Sequence, residues 1–464
     1  MQKSALALLV VLAAGAAQAL PAVQVGLEFT GPTLSQSGYI PPDTQGAVGG
    51  DQIAVFVNGR FSVYDKATGA ELQTSTLDQF WNAAGVDPID DSFDPRVLYD
   101  PATDRWFALS ADGGPQPNHL LVAVSHTSDP TQGWSGFAID SDSTDTVWAD
   151  FPMLGMDADA VYVSAPMFPV NGPDFPSSAD FLVLPKNDLV APAASIANAT
   201  LFERMRIGQA GFMPQSVVNF DGDGLPANFY AGTLTTLGQI QASRIDGPLD
   251  APTWTGGIFL PIDPLANPPM ADQPGPKENL DSGDARFSQS LVQRNGVAWA
   301  AQSVEWDGRS AVRWIQIDVA NDIVLDWGLI ADPHLDLIYP SIAVNELDQI
   351  VIGMTGSDET LAPSAFAVVG EKVGGITSFG DLLRLAEGQG SYEVTFGGTR
   401  NRWGDYSATV ADPSDPSSFW TFQEYVVREN VWGVRVTQLR LVPEPGTALL
   451  VACGIVLVAR RRAR

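Results

Sequence analysis

Seven times along this chain a polar or proline-containing start leads into a short apolar stretch, a turn rich in Asp, Asn or Gly, and a second apolar run. Each such segment is a β-hairpin with an apolar face, and an isolated hairpin cannot bury that face by itself. The segments begin near Asp43 (DTQGAVGGDQIAVFV), Asp94 (DPRVLYDPATDRWFALS), Asp150, Pro214, Phe287, Tyr339 (YPSIAVNELDQIVIGM) and Asp405. Their starts lie about 50 to 75 residues apart, above the usual period of a four-stranded propeller blade unless the loops are long. The expected fold class is all-β: a β-propeller of seven blades, with an N-terminal signal peptide and a short C-terminal hydrophobic sorting helix. An array of β-sandwiches is the alternative, because alternating short strands also build those.

The runs Ile53 to Val57, Leu120 to Ser125, Ala160 to Ser164, Val297 to Ala301 and Ile350 to Met354 are β-rich and bounded by Gly, Pro, Asp and Asn. The 44 glycines and 34 prolines are spread throughout, which argues against a string of separate domains. In each segment the hairpin is expected to supply the inner pair of strands. The first would line the central channel, and the second would carry Trp106, Tyr162, Trp299 and Trp420 into the packing between blades.

The two ends follow different rules. Lys3 precedes the apolar run Ala5 to Ala17, and Ala17-Gln18-Ala19 supplies a small-x-small cleavage pattern, so residues 1–19 are expected to be a signal peptide removed by signal peptidase. At the other end, Pro443-Glu444-Pro445 precedes an uncharged run from Thr447 to Ala459, which is followed by Arg460, Arg461, Arg462 and Arg464. Thirteen uncharged residues fall short of the roughly 20 needed for an ordinary spanning helix, so a transient anchor with cytoplasmic arginines is expected. The order of motif, apolar segment and arginine cluster resembles the PEP-CTERM sorting signal of exosortase substrates. The resemblance is confined to residues 442–464. It implies removal of the tail at the membrane by an exosortase, and a mature protein at the surface or in the extracellular matrix of a Gram-negative bacterium.

Between these ends, residues 20–441 form the body. The full chain carries a net charge of −29; processing would remove Lys3, four arginines and Glu444, leaving 20 basic against 53 acidic residues and a net charge of −33. Such a surface repels nucleic acid and anionic lipid. It suits divalent cations or a basic partner, or simply keeps an exported protein soluble. The sole cysteine, Cys453, lies in the tail, so stability of the body must come from core burial or bound ions.

PPDTQGAVGGDQIAVFVNGRFSVYDKATG, FDPRVLYDPATDRWF, VSHTSDPTQGW and RWGDYSATVADPSDPSSFWTFQEY resemble a family of exported bacterial proteins expected to fold as propellers. VSHTSDPTQGW and SRIDGPLDAPTW are also loosely similar to the Asp-box hairpin of sialidase-like propellers, which closes a turn between outer strands, though neither keeps its full spacing. The chain contains no HExxH, P-loop or GxSxG, and His119, His126 and His334 are too few for a histidine-rich site and are assigned to loops or strand edges.

If the repeats close into a ring, Asp43, Asp94, Arg96, Asp150, Arg402 and Asp405 converge on one mouth of the channel. Arginines there can grip a carboxylate or sulfate, and paired aspartates can bind a cation or act as glycosidase acid and base. The competing reading makes DPR and RWGD blade-closing ion pairs and turn residues. Asp221-Gly222-Asp223-Gly224 and Asp140 through Asp145 offer closely spaced oxygens of the kind calcium prefers. Asn219, Asp221 and Asp223 resemble alternating ligands of an integrin-type calcium loop that departs from its pattern at Ala227, though as turn formers they need no metal. Two function classes follow. One is a noncatalytic propeller that binds extracellular polysaccharide or a surface protein, with no catalytic residue assigned. The other is a secreted sialidase-like enzyme using the Asp and Arg residues at the mouth.

Overall fold

A computed structural model describes residues 20–395 and 397–442. Residues 1–19 and the expected sorting motif Pro443, Glu444 and Pro445 lie outside them, as does the apolar segment that follows. Among the described residues strands dominate, the α-helices are four to seven residues long, and no helix is long and apolar enough to cross a membrane.

The strands fall into consecutive antiparallel meanders. Gln45–Val48, Gln52–Val57, Arg60–Asp65 and Glu71–Ser75 pair in sequence order. Ser92–Asp100, Arg105–Asp112, His119–Ser125 and Trp134–Asp140 repeat the pattern, as do Asp336–Val344, Gln349–Ser357, Ser364–Val373 and Ile376–Phe379. Three further meanders open with Met153–Met156, Gln215–Asn219 and Leu291–Arg294. These three first strands also pair with one another in parallel, Met156 with Val218 and Val217 with Leu291. The last unit contains Ala408–Ala411, Ser418–Arg428 and Val431–Val442, and the N-terminal strand Ala22–Thr33 completes it. Each first strand touches the first strand of the next unit, and Ala408–Ala411 touches Gln45–Val48, so the contacts run in a cycle. The architecture is all-β and propeller-like. Each hairpin expected from the sequence supplies the first and second strands of a unit.

Burial follows position within the unit. The second strand Gln349–Ser357 is buried at all nine positions, because it is covered on both faces. The outer strand Thr253–Pro261 alternates between exposed and part-buried residues, as a strand with one wet face must. Trp106, Tyr162, Trp299 and Trp420 are buried on second strands. Their clusters join neighbouring sheets: Trp106 packs in a group with Phe56 and Phe61, Trp299 with Ile342 and Ile352, and Trp420 with Ile53 and Val55. Truncating a fully buried Trp costs about 3–5 kcal/mol, so these contacts fix how the sheets stack.

One boundary moves. Val442, assigned to the tail from sequence, ends the last strand and pairs with Ala22. Pairing to the N-terminal strand holds it in the body, a constraint that only the folded chain supplies.

Candidate functional site

The first strands run the same way around the channel, so their beginnings share one end. There the backbone takes the left-handed conformation at Asp43 (φ 50°), Asp94 (51°), Phe151 (50°), Met213 (55°) and Tyr339 (49°). Four of these residues precede proline, whose ring disfavours right-handed helical geometry at the preceding position. At Asp94 and Tyr339 the turn coincides with a break in strand register, between Phe93 and Arg96 and between Ile338 and Ser341. Aspartate tolerates this conformation better than bulky side chains do.

These entry points are stitched together. Asp43 Oδ1 accepts the Asp405 N–H at 2.7 Å, and its Oδ2 accepts Asn58 Nδ2 at 2.7 Å. Asn58 also donates to the Pro41 carbonyl at 3.1 Å, and its Oδ1 accepts the Asp94 N–H at 2.8 Å. Asp94 Oδ2 then accepts the Phe151 N–H at 3.1 Å, which Asp150 Oδ1 accepts as well, at 2.8 Å. Arg402 is ion-paired to Asp405. The chain of bonds thus passes from the last sheet through the first and second to the third. Asp43, Asp94, Asp150, Arg402 and Asp405 are brought together as expected from sequence. Asn58, the central link, was missed, because Asn58-Gly59 in sequence signals only a hairpin turn.

Arg96 departs from the expectation. It lies within Ser92–Asp100, two residues past Asp94, and is 2% exposed below the mouth. Its Nε donates to the Pro152 carbonyl at 2.9 Å, and its guanidinium lies 3.2 Å from the centroid of the Tyr406 ring. The alternation of the strand turns Arg96 and Leu98 toward the channel. Further down, the channel is walled by Val48, Leu98, Leu154, Val218, Val292, Val344 and Val410, one from each first strand.

Burial and mutual repulsion set the electrostatics of the mouth. Burial, then the charges of Asp405 and Asp94, hold the Asp43 carboxyl well above the usual carboxylate range. Burial and Asp405 raise Asp94, and burial with Asp94 and Asp405 pushes Asp150 up to about 8. Arg402 is shifted upward by Asp405 and stays charged. Burial and the neighbouring carboxylates thus favour the protonated form of Asp150, which faces the mouth cavity.

That cavity has a volume of about 790 Å³ and is lined by Asp43, Asp94, Asp150, Arg286, Arg400, Arg402 and Asp405. Part of its wall is aromatic. Trp148 lies 6.4 Å from Phe93 and 5.5 Å from Phe168, ring centre to ring centre, and Phe175 stacks on Phe212 at 5.0 Å. Tyr39 and Phe175 are 37% and 53% exposed. Arg286 stands over Phe151 and Phe212. None of these aromatics belongs to the repeated hairpin pattern at a distinctive position, so the sequence carried no signal for them.

The acidic turns are used internally. Asp221 accepts the N–H groups of Asn295 and Gly296 at 2.9 and 2.8 Å, Asp223 accepts Gln293 Nε2 at 2.8 Å, and Asn219 donates to Asp223 at 3.0 Å. These bonds tie the loop to the hairpin of the next unit. In the Asp140 to Asp145 turn, Asp142 accepts the N–H groups of Thr146 and Val147 at 2.8 and 3.0 Å. Among the described residues, no group of three or more His, Cys, Asp or Glu side chains is arranged to hold a metal ion.

No family model matches the chain, and no curated protein matches it. Solved structures similar to it include a hypothetical selenium-binding protein from Sulfolobus tokodaii, 9% identical over 75% of this chain and 82% of that one, with a TM-score of 0.47. The Trypanosoma rangeli sialidase is 9% identical over 90% of this chain and 60% of the other, with a TM-score of 0.37. Hsv2 of Kluyveromyces lactis is 11% identical over 87% and 99%, with a TM-score of 0.38. Likeness at this level says nothing about activity.

Proposed function

We propose that this chain is an exported, seven-bladed β-propeller whose mouth binds polysaccharide without cleaving it. The observation that carries the reading is the mouth cavity, where the aromatic surface of Trp148, Phe93 and Phe175 stands beside Arg286, Arg400 and Arg402. Aromatic faces pack against the apolar faces of sugar rings, and arginine forks match carboxylate or sulfate substituents. The blade count is supported by the cyclic contacts of the seven first strands. Export is supported by the signal-peptide pattern of residues 1–19 and the PEP-CTERM-like tail. On this reading signal peptidase and an exosortase deliver the body to the cell surface or matrix.

What supports the noncatalytic reading is how two of the mouth carboxylates are engaged. A glycosidase needs two carboxyl groups free to face the scissile bond. Both oxygens of Asp43 are occupied by Asp405 and Asn58, and Asp94 holds Phe151. One feature favours the alternative, sialidase-like reading: Asp150 lines the cavity with its carboxyl pushed up to about 8, a range that suits a general acid.

The test is binding of the purified body to anionic exopolysaccharide. Trp148→Ala and Arg402→Ala should each weaken binding at least tenfold while melting stays cooperative. Retention of full affinity in both folded variants overturns the binding mode, and release of reducing sugar that is lost in Asp150→Asn establishes the enzyme instead. Mass spectrometry of the secreted protein should give a start at Leu20 and loss of the arginine cluster.

A further inference from the structure

Below the mouth the channel holds a second, narrow cavity of about 100 Å³. Most of its polar lining groups are satisfied within the protein. Ser290 Oγ donates to the Leu154 carbonyl at 2.7 Å, Gln289 joins Thr409 and Ile342, and Asp412 binds Lys66 and Trp420. Arg96 and Gln45 differ. Both Nη groups of Arg96 and the Nε2 of Gln45 lack any hydrogen-bond partner among the described residues, although the two side chains are only 2% and 5% exposed.

These orphans are all donors. No acid hydrogen-bonds to them: Asp94, Asp43 and Asp405 act on the Arg96 guanidinium only through space. A buried guanidinium without a hydrogen-bonded counterion is costly, and its planar fork fits a carboxylate. Water can satisfy the donors but cannot neutralise the charge. Gln45 and Arg96 lie on adjacent first strands whose following residues belong to the aliphatic ring of the channel wall. The site therefore has a cationic, donor-rich head and an apolar body. Its far end is flanked by part-exposed Tyr99, Phe220 and Arg294, the last stacked on Phe220 at 4.3 Å with its own Nε unpartnered.

We infer that this channel binds an aliphatic monocarboxylate, its head held by Arg96 and Gln45 and its chain lying along the ring of Val and Leu side chains. The mouth and its saccharide play no part in this site, so either proposal can fail alone.

Calorimetric titration of the purified full-length protein with octanoate, octan-1-ol and acetate tests it. Octanoate should bind at least tenfold more tightly than either, because only it carries both head and body. Arg96→Gln should weaken octanoate at least tenfold, and so should Val292→Phe, which fills the channel and leaves the head untouched. Octan-1-ol binding as tightly as octanoate overturns the head assignment, and no octanoate binding at millimolar concentration overturns the site. Full octanoate affinity in folded Val292→Phe overturns the placement of the chain. If Arg96→Gln does not fold, the octanoate to octan-1-ol ratio and Val292→Phe decide.

Discussion

Asn58 illustrates how much one turn residue can do. It makes three buried hydrogen bonds, to the Pro41 carbonyl, the Asp43 carboxyl and the Asp94 N–H, and so joins two sheets at the mouth. Asn58→Ala leaves Asp43 Oδ2 and the Asp94 N–H without partners, and should destabilise the fold by about 2–4 kcal/mol with a matching fall in the denaturation midpoint. A fall below about 0.5 kcal/mol would sink this account of the mouth. Asp43, Asp94, Asp150, Arg402 and Asp405 were legible because they head repeated segments. Asn58 was not, since its link to the Asp94 N–H crosses to a different sheet, and the two become neighbours only when those sheets meet. Arg96 was legible as a functional candidate but placed too high, because strand alternation turns it into the channel.

Among the elements, the strand Ala22–Thr33 has the most distant partner. It forms the outer edge of a sheet otherwise built from the last three strands, with Val23 opposite Leu441 and Phe29 opposite Val436. Arg435 and Glu28 add an ion pair at 2.6 Å. Because the first and last strands share a sheet, the ring is closed by main-chain hydrogen bonds between the two ends of the body. Deleting residues 20–33 would uncover the Val431–Val442 edge and part of the core packed beneath Phe29. The deletion should lower the melting temperature by more than about 10 °C and promote association, read by calorimetry and light scattering. An unchanged melt would show that closure does not depend on this strand. The hairpins themselves were legible from their alternation and turn residues. The closing strand was not, because no local pattern says that residue 22 will face residue 442. The loop from Asn219 to Ala227 teaches a similar lesson: its oxygens answer the N–H groups of Asn295 and Gly296, donors that sequence spacing cannot bring near.

For the molecule as a whole, buried carboxyls dictate the pH response. Burial pushes Glu424 and Asp150 up to about 8 and Asp180 to about 7, with Asp43 and Asp94 also raised. A carboxyl raised by folding favours the native state while it is protonated. That contribution is complete below its unfolded pKa, near 4, and is lost as pH rises through the folded value, at roughly 1.4 kcal/mol per pH unit for each group. Thermal stability should therefore decline between about pH 5 and 8. Glu424→Gln, which removes this buried carboxyl, should flatten that decline; a variant that follows the same curve would refute the assignment. The sequence by itself determined the class of fold and which residues head its hairpins, because periodicity and turn chemistry act over neighbouring residues. Only the tertiary structure decided how the ends close the ring, which donors the acidic turns answer, where the aromatics gather and that Arg96 faces the channel. Those features depend on contacts between residues far apart in sequence, and packing alone selects among them.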